Sequence, residues 1–179
     1  KLNNKSPKIL VIGDLIVDKY LWGSCDRISP EAPVQIINID RENTFLGGAG
    51  NVVNNLIKLG ASADILSVVG NCEISNELIG LLSEIKVNTK HIIKQSNRIS
   101  SKKTRIMASK QQVVRYDREN TDDINIKKFT DVISEYSKGT QFIMVTHNKL
   151  TMESADCIYG VTAEKKGISK VISINFDEK

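Results

Sequence analysis

The chain has 179 residues, of which 40% are hydrophobic, 26% charged and 5% aromatic, and its formal net charge is +4. This length suits one ordinary domain or two incomplete ones, and no apolar run approaches the ~20 residues of a membrane span. The positive charges form no block, so we expect no nucleic-acid partner. The sequence opens without a signal-peptide pattern and its three separated cysteines form no CxxC pair. These features predict a cytoplasmic protein with reduced thiols and no metal site.

The first predicted element is a strand. Residues 9–12 are all apolar and are followed by Gly13 and Asp14, a pattern typical of a parallel strand buried on both faces. We therefore expect a central strand of an α/β sheet. Residues 20–46 then contain two prolines and a β-rich run, which predict an excursion of antiparallel strands.

A repeating strand and helix pattern follows. After Gly47 and Gly48, apolar residues recur at helical spacing until Gly60, so the glycine pair is predicted to open a helix. The pattern continues with a strand at 65–69, a helix at 74–85 and an extended segment at 91–93. Residues 101–109 and 113–117 are predicted to be two strands that return to the earlier excursion.

The pattern changes after Asp122. Apolar residues at helical spacing predict a helix containing Ile126, Phe129, Ile133 and Tyr136. Beyond it we expect a strand at 141–146, a helix at about 151–159 and a final strand at 168–176.

Two groups of residues are candidates for ligand binding. Asp14 and Asp18 lie just after the first strand, where open α/β sheets bind ligands and where carboxylates can accept hydrogen bonds from sugar hydroxyls. Gly47, Gly48 and Asn51 open the first helix, where the backbone can approach a ligand closely. Each group also has a purely structural explanation: Asp14 caps a turn, Asp18 is a solvated side chain, and the glycines form a plain turn.

The motifs together resemble a known family. The run GDLIVDKYLWGSCDRISPEAPV from Gly13 to Val34, LGGAGNVVNNLIKLGA from Leu46 to Ala61 and TRIMASKQQVVRYDREN from Thr104 to Asn120 resemble the heptose 7-phosphate kinases of the ribokinase type. The resemblance implies a partial ribokinase-like parallel sheet with a β lid over residues 1–120. It also implies that Asp14, Asp18, Gly47, Gly48 and Asn51 hold a phosphosugar.

The same resemblance implies further sites and partners. Lys102, Arg105 and Arg115 occupy positions from which basic lid residues could approach the sugar phosphate, although solvated strand faces explain them equally well. ATP and Mg²⁺ are the implied cofactors, and the β lid implies a homodimer. The family's catalytic base lies in a GAGD motif, which these 179 residues lack. We therefore predict no catalytic residue, doubtful ATP binding and an inactive or truncated kinase.

Residues 121–179 resemble a second, unrelated family. The run from Thr140 to Glu178 resembles the carboxyl terminus of bacterial SMC chromosome-segregation ATPases, whose head is of the ABC type. That resemblance implies vestigial nucleotide-binding roles for Asp123 and His147, although a lone histidine after a strand is ordinarily a turn or surface residue. A chimera joined near residue 120, by recombination, artefact or design, is thus predicted. An SMC-type ATPase fragment is the alternative function.

Overall fold

The structure, a computed structural model, describes residues 7–119, 130–131, 133–135, 137, 139–146, 149–165 and 168–176. By its internal contacts the chain divides into two compact units, Lys1–Asn120 and Thr121–Lys179. The two units are described separately below.

The first unit alternates strands and helices. In chain order it contains β1 (Lys8–Ile12), β2 (Leu15–Ile28), β3 (Gln35–Gly48), α1 (Ala49–Lys58), β4 (Ser62–Gly70), α2 (Glu73–Glu84), β5 (Ile92–Gln95), β6 (Ser101–Ala108) and β7 (Gln111–Arg118). These elements agree with the predicted α/β pattern of this part of the chain. They form two sheets.

The first sheet is parallel and has the order β1-β4-β5. The predicted central position of β1 is wrong, because β1 lies at the edge of this sheet among the described residues. The predicted burial on both faces is also wrong, since Leu10 is 56% exposed and Ile12 49% exposed. The described residues pack against only one face of β1. A continuous apolar run suits both faces equally, so the sequence does not indicate which face stays exposed.

The second sheet corresponds to the predicted excursion and has the order β3-β2-β6-β7; we call it the lid sheet. Strands β2 and β3 are antiparallel, β2 and β6 are parallel, and β6 and β7 are antiparallel. Ser109 and Lys110 join β6 to β7, and both have positive φ, at 50° and 67°. Two such residues in succession match the twist of a tight hairpin.

The hydrophobic core lies between the helices and both sheets. Helix α2 contributes Ile74, Leu78 and Leu82, all buried and spaced four residues apart on one helix face. Strand β4 contributes alternate residues, among them Ile65 and Val69. Full burial of each large aliphatic side chain stabilises the fold by ~1.5–3 kcal/mol. The core thereby fixes the starts of α1 and α2 relative to the strands.

The second unit contains α3 (Lys149–Glu153), β8 (Cys157–Lys165) and β9 (Ile168–Asn175), and β8 pairs with β9 as an antiparallel hairpin. The predicted strand at 141–146 is wrong because these residues are irregular, and the predicted helix at 151–159 ends early because β8 begins at Cys157. The final strand is confirmed. Ile133 is helical as predicted, whereas Ile126, Phe129 and Tyr136 lie outside the described residues. Among the helices described in either unit, none has the length and apolar character that a membrane span requires.

Candidate functional site

Asp14 lies between β1 and β2, next to the start of α1. Its carbonyl oxygen accepts a hydrogen bond from the Ala49 N–H at 3.0 Å. Gly48 precedes the helix with φ of 55°, and a Cβ atom there would lie 2.5 Å from the Asp14 carbonyl oxygen. The predicted opening of a helix by the glycine pair is therefore confirmed. Position 48 requires glycine both because its φ is positive and because a side chain would clash with the Asp14 carbonyl oxygen. The Asp14 carboxylate accepts a hydrogen bond from Arg98 at 2.8 Å.

Asp18 lies on β2, beside Gly47 of the neighbouring strand. A Cβ atom on Gly47 would lie 2.3 Å from Oδ2 of Asp18, so the missing side chain makes room for this carboxylate. On the other side, Arg105 of β6 donates to Oδ1 of Asp18 at 2.6 Å. Both side chains are partly buried: that of Asp18 is 26% exposed and that of Arg105 is 20% exposed. Asp18 is thus held by a charge-assisted hydrogen bond and keeps a second oxygen for other donors.

A pocket of about 270 Å³ lies beside Asp18. Its lining comprises Asp18, Tyr20, Trp22, Phe45, Leu46 and Asn51. The structure therefore brings together Asp18 and Asn51, as predicted from the sequence, and adds aromatic residues that the prediction missed. Tyr20 and Trp22 follow Asp18 at two-residue spacing along β2, so strand periodicity alone could have identified them.

The aromatic residues of the pocket form an ordered group. Tyr20 and Trp22 stack with their ring centroids 6.0 Å apart, and Phe45 meets Tyr20 edge-on at 5.9 Å. The guanidinium of Arg105 lies 5.1 Å from the Tyr20 ring centroid, and that of Arg41 lies 5.1 Å from the Trp22 ring centroid. The buried indole N–H of Trp22 has no hydrogen-bond partner among the described residues. Stacked rings flanked by cations offer a flat apolar wall beside polar groups.

The three predicted phosphate-facing cations have different surroundings. Arg105 donates to Asp18, which lines the pocket, and its guanidinium lies over the Tyr20 ring. Lys102 instead donates to Glu77 of α2 at 2.9 Å, and its position next to Lys103 places it on the opposite face of β6. Arg115 pairs with Arg105 in the strand register and so shares its face, but its guanidinium binds Asp117 on the same strand at 2.8 and 2.5 Å. This guanidinium holds the pKa of the exposed Asp117 carboxyl below its usual range.

Lys103 is a cation that the sequence prediction missed. Its register partner on β2 is Asp18, so it shares the face of the lid sheet that carries Asp18, Tyr20 and Arg105. Its ammonium lies 3.5 Å from the Glu119 carboxylate. Lys103 is two residues from Arg105, and this spacing in a predicted strand could have placed both cations on the same face. Asp123 and His147, the predicted nucleotide-binding residues, lie outside the described residues.

Comparison with known proteins decides the family. Residues 6–156 match the model of the pfkB family carbohydrate kinases. The chain belongs to this family. The crystal structure of a Clostridium perfringens protein assigned as a sugar kinase matches with a TM-score of 0.56 and 17% sequence identity, covering 84% of this chain and 47% of that one. At this identity the match shows the fold, an α/β kinase fold of the ribokinase type.

Curated relatives are similar over most of the chain. The bifunctional protein HldE of Aliarcobacter butzleri is 47% identical over 179 residues, covering 92% of this chain and 37% of that protein. The bifunctional protein HldE of Sulfurimonas denitrificans is 50% identical over 153 residues, covering 77% of this chain and 32% of that protein. The chain therefore spans about a third of the length of these relatives.

The pfkB match also bears on the predicted change of family at residue 120. It continues through residues 121–156, where the sequence prediction placed an SMC-like segment. The comparisons give no support to the resemblance with SMC ATPases, to the ABC-type head or to a chimera.

Proposed function

We propose that this member of the pfkB family contributes the sugar-binding part of a heptose 7-phosphate kinase. The observation that carries the proposal is the pocket lined by Asp18 and Asn51, in which Arg105 holds the carboxylate at 2.6 Å. The resemblance of residues 13–34, 46–61 and 104–120 to heptose 7-phosphate kinases and the similarity to HldE proteins support this choice of sugar.

Each group of the site has a proposed role in binding. The carboxylates of Asp14 and Asp18 accept hydrogen bonds from sugar hydroxyls, and the Asn51 amide both donates and accepts. Gly47 leaves room for the Asp18 side chain, and Gly48 lets the backbone pass close to the Asp14 carbonyl oxygen. Basic residues of the lid sheet face the dianionic phosphate, because charge-assisted hydrogen bonds are about twice as strong as neutral ones.

ATP is the proposed phosphoryl donor, with Mg²⁺, because the family consists of carbohydrate kinases. In the part of the chain that the structure describes, no three or more His, Cys, Asp or Glu side chains lie together as a metal site, and Mg²⁺ in kinases is bound mainly by nucleotide phosphates with one or two carboxylates. The 179 residues also contain no GAGD motif to supply a base. We therefore assign binding and orientation of the sugar to this chain, and no step of phosphoryl transfer. A kinase that uses ATP is expected to work in the cytoplasm.

We also propose that the lid sheet pairs with a second copy of the chain. Strands β3 and β7 form the open edges of this sheet among the described residues. Val113, Val114 and Tyr116 of β7 are 43%, 45% and 55% exposed. An open strand edge with apolar side chains favours association through the sheet.

Isothermal titration calorimetry of the full chain tests the proposed substrate. We expect saturable binding of heptose 7-phosphate and no binding of a DNA duplex. Asp14→Ala should weaken sugar binding, whereas Asp64→Ala, the same change at an exposed position on β4, should not. Tight and salt-dependent binding of DNA, or identical sugar affinity in the two variants, would contradict the proposal.

A further inference from the structure

The face of the lid sheet that carries Asp18, Tyr20 and Arg105 also carries other cations. These cations differ in whether a carboxylate already pairs with them. Arg105 binds Asp18, Arg115 binds Asp117, and Lys103 lies near Glu119. Arg41 of β3 has no carboxylate partner among the described residues. Of these four described cations, Arg41 is therefore the one whose charge remains available to an anionic ligand.

Arg41 is nevertheless held in place. Its guanidinium lies over the Trp22 ring at 5.1 Å from the centroid, and Arg41 is the register partner of Trp22. Stacking on an aromatic face orients the planar guanidinium without neutralising its charge. A preoriented guanidinium can bind two phosphate oxygens at once, which a mobile surface lysine does less well.

The position of Arg41 also fits an elongated ligand. Trp22 is four residues beyond Asp18 on β2, a distance of ~13 Å along an extended strand. Both residues line the same pocket, with Tyr20 between them. A sugar whose hydroxyls bind at the Asp18 end can thus extend along the aromatic wall and place a terminal phosphate at the Arg41 end.

We propose that Arg41 determines specificity by binding the phosphate of the sugar substrate, and that Trp22 positions its guanidinium. This inference rests on the proposed function. It assigns the phosphate to Arg41, outside the basic group that the sequence suggested, because Arg105 is engaged by Asp18 and Lys102 faces Glu77.

The test is the ratio of affinities for heptose 7-phosphate and for the same heptose without phosphate, measured by calorimetry on the full chain. We expect the wild type to prefer the phosphorylated sugar. Arg41→Ala should reduce that preference by about 10- to 100-fold, as expected for loss of hydrogen bonds to a charged group, and leave the affinity for the unphosphorylated sugar unchanged. Trp22→Leu should reduce the preference less, and Trp22→Phe, which keeps a ring, should retain most of it.

Arg118→Ala is the matched control, since Arg118 pairs in register with Lys102 and therefore lies on the opposite face of the same sheet. It should leave the preference unchanged. An Arg41→Ala variant that still binds the unphosphorylated sugar and keeps the wild-type preference overturns the inference alone. A wild type that binds neither sugar overturns both the inference and the proposed function. Should Arg41→Ala fail to fold, Arg41→Gln provides the same comparison.

Discussion

Gly47 is the residue at which the smallest change should disturb the site. A methyl group there would lie 2.3 Å from Oδ2 of Asp18 and 3.3 Å from Cβ of Ile16. Gly47→Ala should therefore push the Asp18 carboxylate away from Arg105. We expect the affinity for heptose 7-phosphate to fall at least tenfold, and the free energy of unfolding in urea to fall by ~1–3 kcal/mol.

Gly80 provides the matched control for this substitution. It lies within α2, and a Cβ atom there would meet nothing within 4 Å. Gly80→Ala should raise the free energy of unfolding by ~0.5–1 kcal/mol, because alanine loses less backbone freedom in a helix. Equal behaviour of the two variants in binding and in unfolding would show that Gly47 has no special steric role.

Cys72, which precedes α2, carries a thiol with an altered acidity. Burial raises its pKa, but the Ser75 N–H and the hydroxyls of Ser100 and Ser75 favour the thiolate, and the net result is a pKa of about 7 instead of 9.0. Alkylation by iodoacetamide, followed by mass spectrometry, should therefore increase through a midpoint near pH 7, because the thiolate is the nucleophile. Ser100→Ala removes a donor and should move the midpoint to higher pH. A midpoint that stays near 9 in the wild type would contradict this account.

Strand periodicity separates two adjacent lysines that composition cannot distinguish. Lys103 shares the face of Asp18, whereas Lys102 pairs with Glu77 on the opposite face. Lys103→Ala should weaken binding of heptose 7-phosphate several-fold. Lys102→Ala should instead lower stability by ~0–1 kcal/mol, as is usual for a partly exposed ion pair, with little effect on binding. Calorimetry and urea unfolding of both variants test this, and a larger loss of binding in Lys102→Ala would show that the strand faces are misassigned.

Many of these elements could be predicted from the sequence. Local signals located α1, α2, β4 and the β6–β7 hairpin, since glycine stops, apolar spacing and turn residues act within a few positions. Lys102 was selected from the family resemblance, which did not distinguish the face of β6 that carries Lys102 from the face that carries Lys103. The edge position of β1 and the approach of Phe45 to Tyr20 depend on contacts distant in sequence, which local patterns do not contain.

Residues after 140 were predicted less well. The apolar run at 141–146 suggested a strand but is irregular in the structure, and the helix predicted at about 151–159 ends at Glu153, before β8 begins at Cys157. Short apolar runs fit helix, strand or neither until tertiary pairing selects one of them, and here the β8–β9 ladder selects a hairpin for residues 157–175.

At the scale of the whole molecule, the open edges of the lid sheet predict self-association. Light scattering should show dimers at high protein concentration. Val114→Lys on the edge strand β7 should shift the equilibrium toward monomer, because a charge on an exposed edge disfavours strand pairing. Ile93→Lys, at a residue 54% exposed on β5 of the other sheet, serves as control. A monomer at every concentration tested would rule out the lid dimer.

We expect the first unit to bind a phosphosugar between Asp18, Asn51 and the aromatic wall of the lid sheet. A two-dimensional ¹H–¹⁵N NMR titration of the full chain with heptose 7-phosphate tests it most directly, because it locates the ligand as well as detecting it. Saturable shifts should be concentrated at the amides of Asp18, Gly47 and Asn51 and should disappear in Asp18→Ala. No saturable shifts, or shifts confined to residues 121–179, would contradict it.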